Sequence, residues 1–224
     1  MKNLIIFLTT LFIYNLGNAQ IVNIPDSNFK FTLVNVPCVD TDGDGYIDSD
    51  VDTNDDGEIQ VTEAEAVDNL KFGSHNIQSL EGIQSFINLR RFHFSNNPIE
   101  SVDLSQNIQL KKIIFGDVLI ATIDLSQNIN LIEFGIGSTA ITDIDMSDNL
   151  LLEKFSSGSN ILSNINLSQN VNLKILHLIY MDDLTTIDIS NNINLEEVLL
   201  YNSALTNIDV TNNPNIVWLD LAFT

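Results

Sequence analysis

The chain has 224 residues, 9 Lys and Arg against 30 Asp and Glu, and a formal net charge of −21. That balance excludes a nucleic-acid binder, which must neutralise phosphates with Lys and Arg, and favours divalent cations and basic partners. The one cysteine, Cys38, excludes an intrachain disulfide, so an exported chain of this length would rest on a large core or on metal.

Residues 1–19 have the layout of a secretory signal. Lys2 gives a basic start, residues 4–14 are apolar apart from Thr9 and Thr10, and Gly17-Asn18-Ala19 supplies small residues for cleavage after Ala19. The stretch is too short to stay as a membrane span, and no later segment is apolar enough to form one. Gln20, standing where a lipid anchor would need Cys, speaks against lipidation. Losing Lys2 takes the charge from −21 to −22. The expected product is soluble and outside the cytoplasm.

Residues 20–68 read as a small helical cap. Pro25 and Pro37 bracket SNFKFTLVNV, a predicted helix with Asp26 or Ser27 as its N-cap. Residues 52–63, DTNDDGEIQVTE, fit the calcium-loop pattern D-x-[DN]-x-[DN]-G-x5-E without exception. Asp52, Asn54 and Asp56 would supply side-chain oxygens, Gly57 the sharp turn, Glu58 its backbone carbonyl, and Gln60 a contact through water. Glu63 would close the site as a bidentate carboxylate, and Ile59 would pack inward. The helix formers from Glu63 onward make an exiting helix. Such hard oxygen donors predict Ca2+; a solvated acidic turn is the plainer alternative. Just upstream, DTDGDGYIDSD repeats the pattern with Asp40, Asp42, Asp44, Gly45, the Tyr46 carbonyl and Asp48. Val51 stands where the closing carboxylate belongs, so a second ion would need Asp50 or Asp52 in its place.

Residues 69–224 repeat. After a forerunner at Asn69, units begin at Asn88, Gln109, Asn130, Leu151, Asn172 and Asn194, spaced by 21 residues four times and 22 once. A half unit, NIVWLDLAFT, follows from Asn215. Each carries L-x-x-L-x-L-x-x-N-x-L or a variant, as in Leu89, Phe92, Phe94, Asn97 and Ile99, the leucine-rich-repeat signature. Phe92-x-Phe94 is a strand with alternate side chains inward. The second half of each unit, I-x-x-I-D-L-S-x-N, holds another inward pair, from Val102 and Leu104 to Ile208 and Val210, which predicts a strand on both sides of every coil. No coil buries its apolar face alone, so stacking is obligatory. Asn107, Asn128, Asn149, Asn170, Asn192 and Asn213 would form a ladder that satisfies turn groups. Asp103, Asp124, Asp145, Asp188 and Asp209 would cap nearby N–H groups or hold loose cations. The half unit ends in Trp218 and Phe223 without a polar cap, an edge open to self-association.

Outward positions of the strands make the candidate partner-binding face. Six of the eight basic residues beyond Lys2 lie at their start. Arg90, Arg91, Lys111 and Lys112 form a basic cluster beside His93; Ile114, Ile175, His177, Tyr180, Leu199, Tyr201 and Trp218 turn apolar and aromatic groups outward. A charged-to-aromatic gradient suits a protein or glycan partner; cross-coil ion pairs that offset one another are the alternative. Catalysis finds little support. The three histidines, His75, His93 and His177, are scattered, and no nucleophile elbow, H-E-x-x-H or phosphate-cradling loop is present.

NIPDSNFKFTLV, DTNDDGEIQVTEAEA, IQSLEGIQSFINL and the SVDLSQN repeats together resemble the secreted leucine-rich-repeat proteins of Bacteroidetes-type bacteria. The resemblance spans nearly all of the chain after residue 19. It implies an exported, surface-associated or released protein used for binding or adhesion rather than catalysis. Two features depart from it: the DTDGDGYIDSD insert, and the lack of the C-terminal sorting or adhesive module such proteins often carry. The expectation is a leucine-rich-repeat right-handed β-solenoid of 21-residue coils behind an EF-hand-like cap. Calcium in that cap would cover the first apolar edge and contribute to folding. A self-associating matrix protein is the first alternative and an extracellular hydrolase the second.

Overall fold

One strand per coil, laid in parallel on the same side of the molecule, builds the main sheet. The computed structural model describes residues 20–159 and 161–221; the signal segment expected at 1–19, and Phe223, lie outside them. The cap contributes helices α1 (Ser27–Asn35) and α2 (Val61–Ala66). The strands are β1 (Asn69–Gly73), β2 (Arg91–Ser95), β3 (Lys112–Gly116), β4 (Glu133–Gly137), β5 (Asp143–Asp145), β6 (Lys154–Gly158), β7 (Asn164–Asn166), β8 (Ile175–Ile179), β9 (Glu197–Leu199) and β10 (Trp218–Asp220). The large sheet runs β1-β2-β3-β4-β6-β8-β9-β10.

Register follows the repeat. Arg91 pairs with Lys112, Lys112 with Glu133, and Glu133 with Lys154, so equivalent residues form straight columns across the strands. Strand alternation turns Leu70, Phe92, Ile113, Phe134, Phe155, Leu176 and Val198 inward, all buried. In the large sheet β1, β2, β3, β4, β6 and β8 are each followed directly by a residue with left-handed backbone, Ser74, Asn96, Asp117, Ser138, Ser159 and Tyr180, and β9 is followed three residues on by Asn202. Asn and Asp tolerate that region and a bulky side chain does not, so Tyr180, at φ 56°, is the strained member of the column.

The opposite side departs from expectation. Among the described residues only β5 and β7 pair there, through Ile144 and Ile165; the I-D-L segments of the other coils form no ladder. The coil after β7 has 22 residues, and its extra residue falls in the buried bend at Met181, between Leu178 and Leu184. Those segments are tied instead by their turns. The side-chain amide of Asn128 donates to the Leu104 and Asn107 carbonyls of the coil before it, at 3.1 and 3.0 Å, and Asn149, Asn170, Asn192 and Asn213 repeat the pattern. The Asp row is a row of turn caps. Asp103, Asp124, Asp145, Asp188 and Asp209 each accept the N–H two residues on, at 2.9 Å, and that bond is the main reason their carboxyls stay below the ordinary value.

The cap is joined to the solenoid by rings and by one carboxylate. Phe29 of α1 lies 5.7 Å from Phe72, and ring contacts continue through Phe92, Phe94, Phe115 and Phe134 to Phe155. Val39 bridges Leu70, and the Lys71 N–H donates to the Cys38 carbonyl, covering the outer edge of β1. Asp26 is the N-cap of α1. One of its oxygens accepts the N–H groups of Asn28 and Phe29, and the other those of Gln78 and Ser79. Partial burial pushes its pKa up, but these four donors outweigh it and hold the group below 3.8. The stabilisation is therefore complete above about pH 4 and is lost as the pH falls through the folded-state value. Asp26→Ala should cost about 2 kcal/mol at neutral pH. Urea melts of both proteins across pH should show that gap close in strong acid; a gap independent of pH would contradict the assignment.

Candidate functional site

Two loops of the cap share one hydrogen-bond scheme. In the downstream loop Asp52, buried, accepts the N–H groups of Asp56 and Gly57 at 3.2 and 2.8 Å. Asn54 accepts the Asp56 N–H, and Asp56 accepts the Glu58 N–H. The upstream loop repeats this twelve residues earlier. Asp40 accepts from Gly43 and Gly45 at 2.8 and 3.0 Å, Asp42 from Asp44, and Asp44 from Tyr46. Gly45 and Gly57 both have positive φ, 96° and 83°, at the turn where calcium loops require glycine.

The two loops differ in what closes them. Glu63 accepts the N–H and hydroxyl of Thr53, each at 2.9 Å, and the Gln60 N–H, so it caps α2 as it closes the downstream loop. Thr41 holds the same place in the upstream loop, and its N–H and hydroxyl go to Asp48, at 3.1 and 2.8 Å. Asp48 thus takes in the upstream loop the hydrogen bonds that Glu63 takes in the downstream one. Asp52 belongs to the downstream loop, and Asp50 is pushed up by burial and by the carboxylates of Asp52, Asp55 and Glu63. Val51 is buried, with its N–H on the Leu33 carbonyl. Gln60 reaches further than its sequence position suggests. Its amide accepts from Asn54 and donates to Asp56, filling the middle of the downstream loop. In the upstream loop the carboxylates of Asp40, Asp42 and Asp44 converge to within 4.8 Å of one another. Both donor sets are all oxygen and rich in carboxylate, which fits a hard cation such as Ca2+. Lys30 of α1 pairs with Glu58 at 2.6 Å, and Cys38 lies buried, its thiol pushed up to about 12 by burial and then by Asp50.

On the sheet, the outward residues form three columns. Arg91, Lys112, Glu133, Lys154, Ile175, Glu197 and Trp218 start the strands. His93, Ile114, Gly135, Ser156, His177 and Leu199 run along the middle, and Ser95, Gly116, Gly137, Gly158 and Ile179 along the far edge. The predicted basic cluster is here, partly neutralised. Arg90 sits 3.5 Å from Asp68, and Glu133 binds Lys112 at 2.8 Å and Lys154 at 3.3 Å. Lys174 pairs with Glu153 and His177 with Glu197. Arg91 and Lys111 make no ion pair among the described residues, and both are exposed. Burial, then Lys71 and Lys112, hold His93 below its ordinary pKa, so it is neutral at physiological pH. Tyr180 and Tyr201 meet edge to face at 5.7 Å, and Trp218 is 61% exposed.

Two features escaped the sequence reading. A recess of about 390 Å3 opens on this face over Gly135 and Ser156 and reaches from His93 to His177. Its signal lay in EFGIG and KFSSG, where two coils place small residues in the outward column. On the flank leading into the sheet, Ile108, Ile129, Leu150, Val171 and Ile193 form a row of aliphatic side chains, each about half exposed. Each directly follows a ladder asparagine.

The sequence matches no family model and no curated protein. Among solved structures the chain is similar to an internalin C2 from Listeria monocytogenes, with a TM-score of 0.64 at 15% identity over 89% of this chain and 85% of that one. The chain is a leucine-rich-repeat solenoid. The leucine-rich-repeat domain of APL1B is similar at a TM-score of 0.56 and 17% identity, over 85% of this chain and 64% of that domain. The functional domain of InlJ from Listeria monocytogenes gives 0.56 at 17% identity over 91% of this chain, which spans about half (48%) of that structure. That domain includes a cysteine ladder; the leucine-rich-repeat coils here stack on asparagine. At these identities the likeness is one of fold. No helix among the described residues is long and apolar enough to cross a membrane.

Proposed function

We propose that this is an exported, non-enzymatic binding protein that holds a protein partner on its strand face, with calcium steadying the cap. The observation that carries the reading is the strand face itself. It gathers Arg91, Lys111, Lys112 and Lys154 on an otherwise acidic chain and sets exposed aromatic groups further along. Parallel strands fix these side chains in columns, so the face is rigid before binding, which lowers the ordering cost of association. Rigid basic positions steer an acidic partner, and aromatic side chains supply buried area once it has docked. The internalin-like fold of the neighbours agrees with protein binding in general. Calcium, when bound, would neutralise the crowded carboxylates of the two loops. Asp52, Asn54, Asp56, Glu63 and the Glu58 carbonyl would hold one ion; Asp40, Asp42, Asp44, Asp48 and the Tyr46 carbonyl would hold the other.

A second reading, lateral self-association, is favoured by the half-exposed aliphatic row from Ile108 to Ile193, because contiguous apolar surface of this kind marks interaction sites.

Three measurements separate these ideas. Reversing charge at Arg90, Arg91, Lys111 and Lys112 together should abolish capture of partners from the extracellular medium and leave the melting temperature within a few degrees; undiminished capture would remove the strand face from consideration. Chelation of a calcium-loaded sample should lower the melting temperature of the whole solenoid. A ligand at about a hundred times its Kd contributes about 2.7 kcal/mol, or roughly 5–10 °C for a chain of this size, and an unchanged melt would refute the stabilising role. Light scattering over a wide concentration range reads the second idea, which a monomer throughout would rule out.

A further inference from the structure

The middle outward column carries His93 and Ile114, then Gly135 and Ser156, then His177 and Leu199. Gly and Ser interrupt a run of larger side chains. Backbone geometry does not require that glycine. Gly135 has no positive φ, and a Cβ there would first meet the Ile114 side chain, whose Cγ1 at 3.3 Å would have to give by a few tenths of an ångström. Gly116 is different: its Cβ would lie 2.8 Å from the Gly137 carbonyl oxygen, inside contact distance. A strand-interior glycine that its own fold does not demand often marks close approach of a ligand or another chain. The space it leaves is the recess of about 390 Å3, closed by Ile114 at one end and by His177 and Ile179 at the other. At the strand-start edge the two lysines bound to Glu133 outnumber it, leaving net positive charge, and Arg91 follows in the same column.

We propose that this recess is a side-chain pocket for an extended acidic segment of a partner protein: one large apolar side chain seats over Gly135 and Ser156, and neighbouring carboxylates of the segment meet Arg91, Lys112 and Lys154. The inference rests on the strand-face reading above and names the chemistry of its partner. Apolar walls and a floor of peptide backbone favour a hydrocarbon or aromatic side chain, and the positive rim favours acid on either side of it. A glycan fits less well, because among the described residues no outward-facing Phe, Tyr or Trp lines the recess for a sugar to stack on; Phe115 is turned inward and buried.

Fluorescence anisotropy with the full chain tests it, using short labelled Glu-Ser peptides that carry a single central Phe or Ala. The Phe peptide should bind in low salt and the Ala peptide about tenfold more weakly. Gly135→Val, which adds a strand-favouring side chain, should erase that difference and leave the thermal melt intact. Ser156→Val fills the same recess from the next strand and serves if the first variant fails to fold. Equal binding of the two peptides, a Phe preference that survives in both filled variants, or no binding at about 1 mM would overturn the proposal. So would a uronate oligosaccharide that binds in the peptides' place and is blocked by Gly135→Val. The wider reading stays separable. If charge reversal at Arg91 and Lys112 abolishes partner capture and Gly135→Val does not, the recess is wrong and the face stands; if charge reversal changes nothing, the face fails first.

Discussion

Every coil must bring its chain back one strand spacing from the last, with the same residue in the same column. The buried asparagine enforces this, because its backbone N–H bonds within its own turn and its side-chain amide donates to two carbonyls of the coil before. A coil of different length can stack only if its extra residue is absorbed away from the ladder, which the bend at Met181 achieves. Asn192 still reaches the Leu167 and Asn170 carbonyls across that longer coil. The ladder therefore sets the positions of the strands, and the strands set the columns in which Arg91, Lys112, Glu133 and Lys154 stand.

Both the cap and the strand face depend on that order. At the cap, residues 38–39 lie against β1 and cover the first edge of the sheet, while Asp26 fastens α1 to the first coil. The acidic loops sit on this lid, and the upstream one reaches the start of β1, where Asp40 accepts from the Asn69 amide and its charge faces Arg91. On the face, the lateral ion pairs of Glu133 are solvent-accessible and each adds little to stability. Their larger effect is to hold two long lysine side chains in place at the rim of the recess.

Periodicity made the solenoid legible. Phe92-x-Phe94 and its counterparts state which side chains turn inward, and the recurring Asn-x-x-Leu marks where each coil begins. The sharp turns of both loops were legible too, because a glycine at the sixth loop position is a local pattern, and Gly45 and Gly57 both take positive φ. Long-range choices were not. Nothing near Asp26 announces that its second oxygen serves Gln78 and Ser79 more than fifty residues on. Gln60 read as a water-bridged ligand, yet its amide fills the middle of its own loop. The second inward pair in each unit read as a strand, and the pattern was right about burial for Leu104, Leu125, Ile144, Ile165 and Ile189. Strand pairing failed for most coils, because inward alternation makes a segment extended without placing its N–H groups opposite a neighbour's carbonyls. The recess went unread for the opposite reason. Glycine and serine look like weak strand residues until the neighbouring columns show what they leave uncovered.

The chain of ring contacts begins in α1 and stops at Phe155; beyond it the inward positions are Leu176 and Val198. In a stack where each coil touches only its neighbours, cohesion is local, and interlocked aromatic rings hold adjacent coils more firmly than aliphatic contacts do. Inward ring contacts are thus concentrated from the cap to β6, and past it the Tyr180–Tyr201 pair lies on the exposed side instead. The recess sits over β4 and β6, where that chain of rings ends, so a side chain seated there as proposed would rest above the last aromatic step of the core.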